Sequence, residues 1–222
     1  MNYQLDFTPV IDGLPNLLLG CLGTFLLAVC GMLLAVVIGI GGVILRTSKI
    51  KAARWAMIGF VELIRNTPFL VQIFFLYFAL PLAGLRLDPT PTAIIALGIN
   101  GGAYAIEIIR GGVQSISKGQ IEAGLALGLH RAQVFRFIVL KPALRAIFPS
   151  LTSQFVLLTL STSIASAISA YELTSVSQRI ESESFRSFEV YFTVTAFYLV
   201  ISWLMMRLFG LFSSRYFAYP VK

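Results

Sequence analysis

Residues 13–45 read GLPNLLLGCLGTFLLAVCGMLLAVVIGIGGVIL, a run without one Asp, Glu, Lys, Arg or His. About 20 apolar residues cross the roughly 30 Å hydrocarbon core of a bilayer as a helix. This run can hold one long, tilted helix, or one helix with an interfacial lead-in. Further uncharged stretches follow at 66–85, 89–106, 146–171 and 190–206. The chain is 57% hydrophobic and 12% charged, with a mean hydropathy of +0.85. A soluble domain carries about 25% charged residues, and a globule of 222 residues could not hide so much apolar surface from water. The expected fold is all-α integral membrane, with about five transmembrane helices at 14–45, 55–81, 90–112, 146–170 and 189–212. Continuous apolar runs without in–out alternation exclude barrel strands. With no internal repeat and no low-complexity linker, residues 1–222 read as one transmembrane domain.

The formal charge of +7 is distributed for a membrane and not for nucleic acid. Arg46, Lys49, Lys51 and Arg54 share the first inter-span segment; Lys118, Arg131, Arg136, Lys141 and Arg145 share the third; Arg207, Arg215 and Lys222 share the tail. The alternate segments hold only Arg86, Arg179 and Arg186 beside Asp6, Asp12, Asp88, Glu172, Glu181, Glu183 and Glu189. Excess Lys and Arg mark cytoplasmic loops, so the N-terminus is expected outside and the C-terminus in the cytoplasm. The start of the chain lacks the basic residues of a cleavable signal, and the first helix is expected to be retained. Cys21 and Cys30, nine positions apart, fall on nearly opposite helix faces and cannot pair with each other. Trp55, Trp203, Tyr191, Tyr198, Tyr216 and Tyr219 fall near span ends as interfacial anchors.

The segment 111–145 is long, cytoplasmic by this topology, and patterned. Ser117-Lys-Gly-Gln120 has capping-box spacing, and Ile121–Leu127 offers a short amphipathic helix. Gly128 suits the left-handed position that ends it. His130–Phe137 offers a second helix, with Val134, Phe135, Phe137 and Ile138 apolar, before Pro142 and the next span. Two short helices at an angle form a knob, either docking a soluble partner or lying on the inner leaflet. His130 falls in this knob, away from any enclosed site. No covalent-catalysis motif, metal-spaced cluster or phosphate loop accompanies it, so the chain is expected to be a translocation subunit and no enzyme.

Glu122-Ala-Gly-(three residues)-Gly128 followed by Ile138-Val-Leu-Lys-Pro142 resembles the Glu-Ala-Ala loop of ATP-binding-cassette importer permeases. Arg65-Asn-Thr-Pro-Phe-Leu-Val-Gln72, Asn100-Gly-Gly-Ala-Tyr-Ala-Ile-Glu107-Ile-Ile-Arg-Gly-Gly112, Lys118-Gly-Gln-Ile-Glu-Ala, Ala143-Leu-Arg145, Ser153-Gln-Phe155 and Glu172-Leu-Thr174 resemble its polar amino-acid branch, the histidine/glutamine/arginine-type uptake family. Departures are Gly124 where the family usually has Ala, Pro142 one place late, and Leu160-Ser-Thr-Ser-Ile164 where it often has Lys-Asp-Thr-Ser-Leu. The resemblance implies a type I importer permease fold whose coupling loop, 113–143, meets an ATPase dimer through Gln120, Glu122, Ala123, Gly124, Leu127 and Gly128. It also implies a second permease (non-identical favoured over identical), a periplasmic binding protein, surrounding lipid and the bacterial inner membrane. ATP and magnesium would belong to the partner ATPase, with no cofactor in this chain.

Polar groups inside spans face a cavity or a partner. Gln72 and Asn100 are uncharged hydrogen-bonding groups deep in their stretches, suited to an α-carboxylate or α-amine, or else to binding between helices. By resemblance, Asn100 and Ser161 match substrate-pocket positions, with Ile99 and Thr162 as neighbours. Ser161 in place of an acid leaves no counter-charge for a cationic side chain, and an unpaired ammonium in a low-dielectric cavity is costly. Glu62/Arg65 and Glu107/Arg110 have i,i+3 spacing and anchor helix ends or act in gating. Thr159–Ala170 reads as close helix packing or a small-hydroxyl pathway wall. The acidic segment 171–189 is a solvated loop or a contact for a delivering protein. The alternatives are an ion-gradient-driven transporter, a membrane scaffold and an intramembrane hydrolase.

Overall fold

The computed structural model describes residues 3–216, and every regular element among them is helical. Tyr219 and Lys222 lie outside the described residues. A short α1 (Thr8–Asp12) leads into α2 (Leu14–Arg46); α3 (Lys51–Arg65), α4 (Phe69–Leu82) and α5 (Pro89–Gln114) follow. A hairpin of α6 (Lys118–Ala126) and α7 (Arg131–Gln133) runs through a π turn, Val134–Val139, into α8 (Leu140–Ser161). A 3-10 run, Thr162–Ile168, then α9 (Leu173–Ser184) and α10 (Ser187–Tyr216) complete the chain.

Four helical stretches are long and apolar enough to span, and α3 with α4 makes a fifth span if that bent pair counts as one. The continuous helix expected over 55–81 is broken: α3 and α4 meet at 110°. Pro68 is the cause, since it donates no N–H and drives the residue before it away from helical geometry. The expected span 146–170 starts much earlier, as one helical path over Arg131–Ile168. The second short knob helix is therefore not a separate unit but the beginning of that path. The π turn absorbs the register, and Pro142 follows directly after it, in the first turn of α8. Val134 and Ile138 close over Gly124.

The centre of the molecule is the seam between α2 and α5. In lipid, helices associate by close packing of small residues rather than by hydrophobic force. A Cβ at Gly31 would lie 2.9 Å from Leu97, and one at Gly39 would lie 2.7 Å from Ala105. Leu27, Ile73, Ala93, Leu97, Leu158, Ala165 and Ile168 form the adjoining core. Large side chains such as Leu22, Leu33 and Leu199 point outward, as lipid-facing helices require.

At the end opposite the hairpin, Gly23 lets the backbone at Tyr171–Glu172 press against α2; a Cβ there would come 2.5 Å from the Tyr171 carbonyl oxygen. Gly23→Val should cost about 1–3 kcal/mol through overpacking and lower the thermal midpoint of the detergent-solubilised protein. Gly41→Ala, with nothing within 4 Å, should leave that midpoint unchanged.

Candidate functional site

The break between α3 and α4 strands backbone carbonyls that a straight helix would satisfy, and in a bilayer no water repairs them. Gln72 does so. Its Nε2 donates to the Ile64 carbonyl at 2.7 Å, to the Thr67 carbonyl at 3.0 Å and to Thr67 Oγ1 at 2.9 Å. Its Oε1 accepts from Asn100 Nδ2 at 2.9 Å. Two of the residues singled out for solute are thus brought together, and the bond ties the bend to α5. Ile99 and Gln72 line a cavity of about 450 Å³ with Phe60, Ile64, Thr67 and Phe75.

Ser161 and Thr162 sit where α8 tightens into the 3-10 run. Ser161 Oγ donates to the Leu157 carbonyl at 2.9 Å, and the fully buried Thr162 Oγ1 donates to the Thr159 carbonyl at 2.7 Å. Both hydroxyls are turned onto their own helix, and no hydrogen bond joins them to Gln72 or Asn100 among the described residues.

At the hairpin end, Glu107 bridges Arg46 of α2 and Arg110 of its own helix, the latter at 2.7 Å. Arg110 also donates to Gln114 Oε1 at 2.7 Å. The Glu62/Arg65 pair suggested by spacing does not form among the described residues; the Arg65 guanidinium lies 5.2 Å from the Tyr104 ring centroid.

In the hairpin, Ser117 caps α6 by accepting from the Gln120 N–H at 3.4 Å, and Gly128 closes it at φ +83°. Gln120, Glu122, Ala123, Leu127 and Gly128 are exposed, Leu127 by 83%. Gly124 alone of the six is buried, under Val134 and Ile138. A methyl group there would press on the movable tip of Ile138 and on Val134, so alanine, the better helix former, would need only a side-chain adjustment.

The segment 171–189 is no solvated loop. It contains α9, and Glu172 and Glu189 are both fully buried. Glu172 accepts from the N–H groups of Thr174 (2.8 Å) and Ser175 (2.6 Å), forming a capping box, and from Tyr198 Oη at 2.9 Å. Burial pushes its carboxyl above the usual range, against the pull of these donors. Tyr198 is therefore bound inside, not an interfacial anchor. Thr24 Oγ1 accepts from the Leu173 N–H at 3.2 Å, fastening α9 to α2. Glu189 accepts from Tyr3 Oη and, at 2.9 Å, from the Asp6 N–H. Sequence reasoning missed these carboxylates by weighing charge alone; the Glu172-Leu-Thr-Ser175 capping spacing was the available signal. Asn16, Ser166, Ser169, Arg179 and Glu183 line a polar cavity of about 290 Å³ beside α9.

Comparison with known proteins places this geometry. The family described as binding-protein-dependent transport system inner membrane component matches residues 31–218. The glutamine transport system permease protein of Escherichia coli K12 is 40% identical over 201 residues, covering 90% of this chain and 92% of that protein. The nopaline transport system permease protein of Agrobacterium fabrum is 36% identical over 92% of this chain and 89% of its own length. A chain from a crystal structure of an amino acid ABC transporter with histidines superposes at a TM-score of 0.89, with 30% identity, covering 96% of this chain and 100% of that one.

Glu172→Ala should leave two N–H groups of α9 unpaired and the Tyr198 hydroxyl with Thr174 Oγ1 as its remaining partner. The loss of a cap costs about 1 kcal/mol and each buried unpaired group about 1–3 kcal/mol, so thermal stability in detergent should fall clearly. Exposed Glu183→Ala should change it little.

Proposed function

The chain belongs to the family of binding-protein-dependent transport system inner membrane components, as a multi-pass permease subunit of an ATP-driven importer, and from that premise we propose that its cargo is a polar amino acid or amino-acid-like solute. The permease relatives named for glutamine and nopaline support that class of solute. Such an importer works with an ATPase and a solute-binding protein; in the proposed assembly ATP and magnesium reside wholly on the ATPase dimer. The second permease is a non-identical chain, the N-terminus faces the periplasm, and residues 1–222 act as one domain with 113–143 as the coupling loop.

The observation that carries this reading is the construction of the hairpin. Gln120, Glu122, Ala123, Leu127 and Gly128 offer an exposed contact for the ATPase, while Gly124 seats α6 on the helical path that runs unbroken to Ser161. Closure of the ATPase on ATP would move the hairpin and α8 together, turning the solute path past Ile99, Asn100, Ser161 and Thr162, with Gln72 set behind Asn100, from one face to the other. Because Ser161 supplies no carboxylate, this chain does not itself bind a cationic side chain: the solute is neutral or acidic, or the second permease carries the site.

Reconstituted into liposomes with its ATPase, second permease and binding protein, the complex should show uptake that requires ATP; uptake driven by an ion gradient alone would contradict the proposal. Leu127→Asp should lower uptake at least about tenfold, the loss expected of a buried apolar contact, and weaken ATPase co-purification. Ser161→Asp should leave uptake of the native solute unimproved, and a strong rise would overturn the reading that this chain itself binds no cationic side chain.

A further inference from the structure

An amide side chain can be turned either way, but Gln72 cannot. Both the Ile64 and Thr67 carbonyls lie within 3.0 Å of its Nε2, and a carbonyl oxygen accepts only from a donor. The nitrogen of Gln72 must therefore face the helix break, and its oxygen must face α5. That oxygen lies 2.9 Å from the Asn100 amide, so Asn100 is obliged to turn its nitrogen toward Gln72. The orientation of a deep amide on α5 is thus set by two backbone carbonyls of the broken helix, through one intermediate side chain. Asn100 Oδ1 is left without an intrachain partner among the described residues, and it is not enclosed. Ile99, its neighbour, lines the cavity shared with Gln72 and Thr67.

We infer that Asn100 offers the solute a hydrogen-bond acceptor and not a donor, and that Gln72 is the positioning residue that fixes this polarity. The solute group recognised there is an N–H donor, an ammonium or a primary amide, and a carboxylate is excluded from that contact by oxygen–oxygen repulsion. Gln72 acts through Asn100, because its hydrogen-bonding capacity is spent on the break and on Asn100. This rests on the solute path proposed above.

The test is the uptake rate of L-glutamine by the reconstituted complex with saturating binding protein. Asn100→Asp keeps an acceptor toward the path, and its protonated form replaces the N–H donated to Gln72 with an O–H. It should retain at least about a third of the wild-type rate, whereas Asn100→Leu should lose roughly tenfold or more, the worth of about one hydrogen bond to a charged group. Gln72→Leu should fall to a similar extent, and the double variant Gln72→Leu/Asn100→Leu should be no worse than about twofold below Asn100→Leu alone, because one acts through the other. Losing activity with Asp as completely as with Leu would overturn the acceptor assignment. Losses that multiply would overturn the positioning role and leave Gln72 as a brace for the bend alone. Co-purification of each variant with the ATPase confirms assembly; a wild-type complex that fails to transport glutamine under ATP refutes the choice of solute path and cargo, not the orientation of the amides.

Discussion

In a bilayer every backbone polar group must find its partner inside the protein, because no water is present to take its place. The architecture here answers to that constraint wherever a helix is interrupted. At the 110° break before Pro68, one glutamine gathers the stranded carbonyls. Where α8 tightens into the 3-10 run, Ser161, Thr162, Ser163 and Ser166 fold their hydroxyls back onto backbone carbonyls. At the start of α9, a buried glutamate takes the free N–H groups. Each interruption is repaired by a side chain, and the repairs adjoin the residues assigned to the solute path.

Between these interruptions the molecule is stiff. The seam of small residues joining α2 to α5 brings backbones close enough that few rearrangements are open to it, and dispersion over such a seam replaces the hydrophobic force that lipid cannot supply. Glu107 ties the same two helices at the hairpin end through Arg46, while Thr24 and Leu173 tie α2 to α9 at the other. A displacement applied to the hairpin therefore has a continuous route along α8 and its neighbours to the far side of the membrane.

Much of this was legible in the residues. Uncharged runs located the spans, and Ser117 and Gly128 bounded the first hairpin helix where the structure has it. Composition could not reveal that Asn66-Thr-Pro68 breaks a span, because a proline in an apolar run can either kink a helix or end it. The choice shows only in the structure, where Gln72 satisfies the carbonyls and is itself held by Asn100 of α5. Likewise Glu172 and Glu189 counted as solvated charges in a topology argument, yet both are buried because capping and tyrosine donors replace water. The pairing of Glu107 with Arg110 followed from spacing; that of Glu62 with Arg65 did not survive, since Tyr104 on another helix competes for the guanidinium.

The motion proposed above requires that the hairpin, α8 and the α2–α5 seam packed against α8 move as one unit when the ATPase closes on ATP. Spin labels at Glu122→Cys on α6 and Leu33→Cys on the lipid-facing side of α2, read by pulsed dipolar spectroscopy in the reconstituted complex with its ATPase, test it directly. The distance within this subunit should stay the same with and without ATP, while the distance from Glu122→Cys to a label on the second permease shifts. A change within the subunit as large as the change between subunits would show the hairpin swinging free of the body, and would contradict the account.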